Sequence, residues 1–167
     1  WKNIEKDMED IHHILSVATN EIVYQDAPSI EMIAETAKQL KLFINPSFIK
    51  IARENTTNKP IGFCLTFPDF NQILMKTKGR IRPIRMILEK RNITKARGTM
   101  QYIVPEYQNT GLIAHIFNSL FDEFDKQGIT DFEAGTMMEN NPKPINAFKK
   151  FGGEIIKTYR IYGKELK

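Results

Sequence analysis

The stretch 102-YIVPEYQNTGLIAHIFNSLFDEFDKQG-128 decides the reading of this chain. A β-rich run is stopped by Pro105, which has no amide hydrogen to give a sheet. A short polar turn, Gln108-Asn109-Thr110, ends at Gly111, and an amphipathic helix begins at once. Leu112, Ile113, Ile116, Phe117, Leu120, Phe121 and Phe124 share one face of that helix, and Gly128 supplies its C-cap. The open end of a helix is thus aimed at the tip of a strand. The first four amide hydrogens of a helix have no partner inside it, and the aligned peptide dipoles place about half a positive charge there. Gly111 allows close approach of a ligand to the backbone, and Thr110 adds a hydroxyl donor. A phosphate or pyrophosphate suits such a concavity without any lysine.

Upstream of this stretch, Ile4, Met8, Ile11, Leu15 and Ala18 form a helical stripe, and a second helix follows Pro28 with Ile30, Ile33, Ala34, Ala37 and Leu40 on one face. The segment 47–54 reads as a strand, 55–59 as a turn and 60–67 as its hairpin partner. A segment at 68–92 follows, broken by Gly79 and Pro83 into two short helices, with Asp69 as the cap of the first. The segment 95–104 is the next strand. Downstream, 130–139 reads as a strand, Pro142 to Phe151 as a helix stopped by Gly152 and Gly153, and 154–166 as a final strand or strands. This order predicts an α/β (α+β) domain: a mixed, mostly antiparallel sheet flanked by helices. With 167 residues, no repeats and no Gly/Ser linker, the expectation is one domain spanning 1–167, with 68–97 a basic insertion within it.

Charge sharpens the picture. The net charge is +4, yet nine Lys and Arg against the single acid Glu89 lie between Lys76 and Arg97. Eight positive charges there are set against four negative ones elsewhere, which points to an anionic partner or a solvated face at that surface. No apolar run approaches the roughly 18 residues that cross a bilayer. The single cysteine, Cys64, cannot form an internal disulfide, which fits a reducing cytoplasm, and its apolar neighbours make it a core residue. His12 and His13 are adjacent on a helix, so only one can share its buried face, and His115 falls off its helix's apolar stripe; all three read as surface residues, and no spacing suggests a metal site. No Gly-x-Ser-x-Gly phrase marks a serine hydrolase, and no Walker lysine follows Gly111. The chain begins at Trp1 with no signal-peptide pattern, in keeping with a piece of something longer.

The phrase 103-IVPEYQNTGLI-113 resembles the acetyl-CoA-binding signature of the GNAT (Gcn5-related) N-acetyltransferase superfamily. That signature runs from a strand with a valine-x-proline-like end to Arg or Gln, two residues, Gly, one residue, and Gly or Ala. Gln108 and Gly111 match, while Ile113 stands at the last small-residue position. A second block is similar at Asn141, Lys150 and Gly152, with Phe148 where many members carry tyrosine. The segments 60–74 and 158–166 further resemble the C-terminal domain of two-domain bacterial members, which leaves room for an N-terminal partner domain absent from this chain.

The resemblance implies a GNAT-like fold and an acyl-CoA-dependent N-acyltransferase, moving an acetyl group from acetyl-CoA to a primary amine by direct attack. It implies that the pyrophosphate rests on the amides of Asn109, Thr110, Gly111, Leu112 and Ile113, with Gln108 shaping the turn. The pantetheine arm would run between the strand at Met100–Val104, touching Ile103 and Val104, and the strand at Thr130–Met138, beside Asn141 and Phe148. A β-bulge is the usual device for re-aiming a strand there. The amide near Ile103 would polarise the thioester carbonyl. Glu139 is the candidate base, with Glu133 on the same element, and Tyr107 or Tyr159 could replace the acid that Phe148 cannot be. The acceptor is an amine-bearing small molecule, amino acid or peptide. Two other classes are carried forward: a domain of this fold that binds or regulates without chemistry, and a nucleic-acid module using the insertion. The segment Lys76 to Arg97 that carries those cations has no aromatic residue to stack on bases, which counts against the latter.

Overall fold

The computed structural model describes residues 3–18, 27–41 and 43–165. They fall into two compact units, Trp1–Gly135 and Thr136–Lys167. In the first unit, α1 (Ile4–Ala18) and α2 (Ile30–Leu40) precede β1 (Ile49–Arg53) and β2 (Pro60–Pro68). The short helices α3 (Asn71–Lys76) and α4 (Pro83–Glu89) lead to β3 (Lys95–Ile103), α5 (Leu112–Gln127) and β4 (Asp131–Ala134). The sheet order is β1-β2-β3-β4, antiparallel for the first three strands and parallel for β3 with β4. This is the mixed, mostly antiparallel sheet that the sequence predicts.

Helices cover both faces, which is why β2 is buried along nearly its whole length. On one face Ile14 and Leu15 of α1 pack with Ile61, Phe63 and Val104. On the other, a Cβ added at Gly62 would lie 3.5 Å from Ile116 of α5. Phe117, Phe121 and Phe124 of α5 enclose Phe132 of β4, with ring centroids 5.4–6.2 Å apart. Gly98 of β3 lies beneath that ring, and a Cβ there would meet it at 2.8 Å. Cys64 is buried and free, and burial pushes its thiol pKa up.

The insertion forms two short helices, as its Gly and Pro indicate: Gly79 has φ 77° and Pro83 opens α4. The N-cap of α3 is Phe70 rather than the expected Asp69, which stands one residue earlier and accepts the Asn71 amide at 3.1 Å. Gln72 closes the base by accepting the amides of Thr94 and Lys95 at 3.0 and 3.1 Å. Ile73, Met86 and Ile93, with Phe43 and Phe70, give the insertion a small core of its own.

Two expectations are corrected. The strand read at 130–139 is only Asp131–Ala134 long. It pairs with β3 as far as Gly98, and just beyond, Thr99 is an extra residue in β3, where the register with β2 shifts. A bulge of this kind locally disrupts the ladder and bends the strand that carries it. The final strand or strands read at 154–166 are absent from the described residues 154–165, which belong to no strand or helix. Ile155, Ile156, Tyr159, Ile161 and Tyr162 are exposed there. Strand propensity alone does not make a strand; a paired edge does.

In the second unit, α6 (Pro142–Lys150) begins after Asn141 and ends at Gly152, φ 78°, with the Gly153 amide on the Phe148 carbonyl at 2.9 Å. Among the described residues no helix is long and apolar enough to cross a membrane.

Candidate functional site

The turn between β3 and α5 is built by backbone conformations that its residues favour. Asn109 has φ 63° and Gly111 φ 86°, both left-handed, a region that Asn tolerates better than most residues and Gly enters without penalty. A Cβ at Gly111 would meet nothing within 4 Å, so the space before it is open. Helical bonding starts only with Ala114, whose amide donates to the Gly111 carbonyl at 2.9 Å. The amides of Asn109, Thr110, Gly111, Leu112 and Ile113 have no acceptor among the described residues. Five donors gathered at a helix start are chemically suited to an anion, and this turn is the candidate seat for one. The side chain of Ile113 is half-buried.

The side chains around this seat serve its shape. Gln108 donates from Nε2 to the Ile103 carbonyl at 3.4 Å, tying the turn to the strand end. Thr110 donates its hydroxyl proton to the Tyr107 carbonyl at 2.7 Å. That proton is therefore spent within the turn, and the donor expected from the Thr110 side chain is replaced by its amide. Tyr107 donates its hydroxyl to Glu54, at the far end of β1. Hydrogen bonds from Thr57 and then Tyr107 hold the Glu54 carboxyl below the usual carboxylate range, and Glu54 pushes the Tyr107 phenol up. Tyr107 is thereby a strut between two turns rather than a free acid.

Beyond Gly98, the edge of β3 leading into the turn has no strand of the sheet beside it. The Val104 amide donates to the Ile61 carbonyl at 3.0 Å, and its own carbonyl accepts from Tyr107. Both backbone groups of Val104 are used and its side chain is buried, so the ligand contact expected from Val104 is not available. In an antiparallel pair, successive residues turn their amides alternately toward and away from the partner. With Val104 turned toward β2, and Ile103 opposite Gly62, the amides of Ile103 and Gln101 point away from β2. β4 has ended by then, so no strand of the sheet takes them. Ile103 is where the sequence places it; Gln101 is an addition that only the register reveals.

The remaining candidates do not gather at this seat within the first unit. Glu133 is paired with Arg97 at 3.4 Å. Glu139, Asn141 and Phe148 belong to the second unit. There Glu139 is exposed, Asn141 precedes α6 without a side-chain cap bond, and Phe148 is half-buried. Tyr159 is exposed in the segment after α6. Among the described residues no group of three or more His, Cys, Asp or Glu side chains is placed to hold a metal ion.

Comparison with solved structures gives this geometry a context. No family model matches the chain. A possible acetyltransferase from Clostridium difficile 630 superposes with a TM-score of 0.57 at 14% identity, covering 98% of this chain and 93% of the other. The aminoglycoside 6'-N-acetyltransferase AAC(6')-IG from Acinetobacter haemolyticus gives 0.61 at 10% identity, over 98% and 95%. The ribosomal-protein-S18-alanine N-acetyltransferase from Escherichia coli gives 0.53 at 16% identity, over 88% and 71%. The fold is that of the GNAT acetyltransferases. In sequence, Protein YghO of Escherichia coli K12 is 24% identical over 142 residues, which is 80% of this chain and 36% of YghO. The chain thus matches about a third of that protein's length.

Proposed function

We propose that the chain is an N-acyltransferase, with acetyl-CoA as donor and the amine of a small molecule, amino acid or peptide as acceptor, working in the cytoplasm. The observation that carries this reading is the run of unpartnered amides from Asn109 to Ile113, directly beyond the half of β3 that has no strand on one side. The open space before Gly111 fits a pyrophosphate. When bound, acetyl-CoA supplies an acyl group activated as a thioester. On this reading the amides of Asn109 to Ile113 hold the pyrophosphate, and Gln108 keeps the turn in shape. The amides of Gln101 and Ile103 face the pantetheine arm, and Ile103 draws electron density from the acyl carbonyl by hydrogen bonding. Holding the amine in line supplies much of the acceleration. Glu139, as base for the ammonium proton, and Asn141 and Phe148, as further cofactor contacts, enter on the sequence resemblance alone. Phe148 carries no transferable proton, so no side chain is assigned the role of acid. The same residue favours a second reading, a domain that binds acetyl-CoA without transferring its acyl group.

The test is thermal. Millimolar acetyl-CoA is expected to raise Tm, by the equivalent of about 2.7 kcal/mol if it stands at a hundredfold excess over Kd. Gly111→Asn, which keeps the left-handed backbone accessible, retains the shift; Gly111→Asp loses it by setting a carboxylate against the phosphates. Absence of any shift in the wild type overturns the proposal. Release of free thiol across a panel of amines, amino acids and peptides then separates the two readings: binding with silence across the panel favours the second.

A further inference from the structure

The basic insertion is not part of this seat. It lies at the start of β3 and the turn at its end, nine residues apart, or about 30 Å along the strand. Its own surface has an unusual construction. Met86 of α4 faces inward onto Ile73 and Ile93. At 100° per residue, Ile84 and Leu88 then point almost directly away, and they are 77% and 68% exposed. Ile81, just before the helix, is 74% exposed. A helix apolar toward both the core and the outside is built to be covered on both sides.

What surrounds those apolar groups is cationic. Ile84 and Leu88 line one shallow depression together with Arg82, Arg85 and Arg91. The single acid there, Glu89, is taken by Arg85 and, at 3.8 Å, by Lys76. Lys95 and Arg97 are paired with Asp131 and Glu133. Lys78, Arg80, Arg82 and Arg91 are exposed and have no acidic partner among the described residues.

We propose that the outer face of α4, with Lys78, Arg80, Arg82 and Arg91 around it, docks an acidic amphipathic helix of a partner protein. Charge complementarity selects carboxylates for the rim, and Ile81, Ile84 and Leu88 require apolar side chains at the centre. A nucleic acid would set phosphates against those three residues, and the segment offers no aromatic group for its bases. A membrane surface fits less well, because α4 is only seven residues long and no Trp, Tyr or Phe lies between Lys76 and Arg97. The acidic helix of a second copy, α1, is already engaged: Ile14 and Leu15 are in its own core and Asp7 and Asp10 are held by Arg53.

The experiment uses the whole chain and a fluorescein-labelled synthetic helix of Glu, Ala and Leu, with leucines spaced i, i+4, i+7. The same peptide with Lys for Glu, phosphatidylserine-containing vesicles and a single-stranded oligonucleotide serve as comparators, without acetyl-CoA. The acidic peptide is expected to bind at micromolar concentration, more weakly as salt rises. The pairs Ile84→Ser with Leu88→Ser, and Arg82→Glu with Arg91→Glu, are each expected to weaken it about tenfold or more while leaving Tm unchanged. Equal binding by wild type and both variants overturns the proposal, as does preference for the lysine peptide, the vesicles or the oligonucleotide. So does a concentration-dependent dimer that the Ile84→Ser, Leu88→Ser variant abolishes in sedimentation, or a fall in Tm in both variants, which would make the face structural. None of these outcomes depends on whether the Gly111 turn binds acetyl-CoA.

Discussion

The two halves of β3 lead different lives. From Lys95 to Gly98 the strand is paired on both sides, with β2 and with β4, and Phe132 lies over Gly98 against the phenylalanines of α5. Beyond the unpaired Thr99, from Met100 to Ile103, it is paired with β2 alone, and every second amide is turned toward an edge without a strand of the sheet. The first half is where apolar burial holds the sheet together. The second exposes hydrogen-bonding groups that a sheet normally satisfies, and it leads directly into the run of unpartnered amides. Unpaired backbone persists only where water or a ligand can reach it, since buried and unsatisfied it costs about 1–3 kcal/mol per group. The difference teaches that binding capacity here comes from withheld pairing, anchored by a neighbouring stretch that is fully packed.

The most severe way to break the contrast is to remove its anchor. Phe117→Ala deletes a fully buried ring that touches Phe121 and Phe132. It is expected to cost about 3–5 kcal/mol in urea denaturation, in the range for buried aromatic truncation. A loss below 1 kcal/mol would mean that the aromatic cluster is not what fixes β4 to β3.

Hydrogen exchange sharpens the contrast at single-residue resolution. In the free protein, the amides of Gln101 and Ile103 are expected to exchange about a hundredfold or more faster than those of Tyr102 and Val104, their neighbours turned toward β2. Equal protection at all four positions would contradict the alternation on which the open edge rests. If acetyl-CoA lies along that edge, it slows Gln101 and Ile103 selectively.

Much of this contrast was legible in the sequence, and its limits have physical causes. The stripe of α5, the stop at Pro105 and the glycines at 111 and 128 are local signals, and the structure follows them. The bulge at Thr99 is not local: 95-KARGTMQYI-103 reads as uninterrupted strand, and the extra residue shows only against β2. Because the bulge resets the alternation, the sequence alone could not decide whether Ile103 or Val104 turns its amide outward. Residues 154–166 include the strand formers Ile155, Ile156, Tyr159, Ile161 and Tyr162, yet pairing is a property of two segments and a single one cannot declare it. The exposed face of α4 was hidden for another reason. Counting charge between Lys76 and Arg97 shows the cations, but only the inward direction of Met86 reveals that Ile84 and Leu88 point out.

The smallest expected effect lies at the Glu54–Tyr107 strut, which joins the β1–β2 turn to the end of the open half of β3. Tyr107→Phe keeps the ring and removes the hydrogen bond. Glu54 has its folded-state pKa lowered, by Thr57 first and Tyr107 second. A lowered carboxylate contributes stability above its unfolded pKa, about 4.3, and loses it as pH falls through the folded value. Tyr107 has its folded-state pKa raised, by Glu54 first. Its contribution is complete below the unfolded value of about 10 and is lost as pH rises through the folded one. The Tm difference between wild type and Tyr107→Phe is therefore expected to be small and flat between about pH 6 and 9, shrinking on both sides of that window. A difference that survives unchanged at pH 2 would assign it to packing of the ring. The strut would then play no part in holding the turn open, and Gln108 on the Ile103 carbonyl would be left as the tie between the turn and the strand.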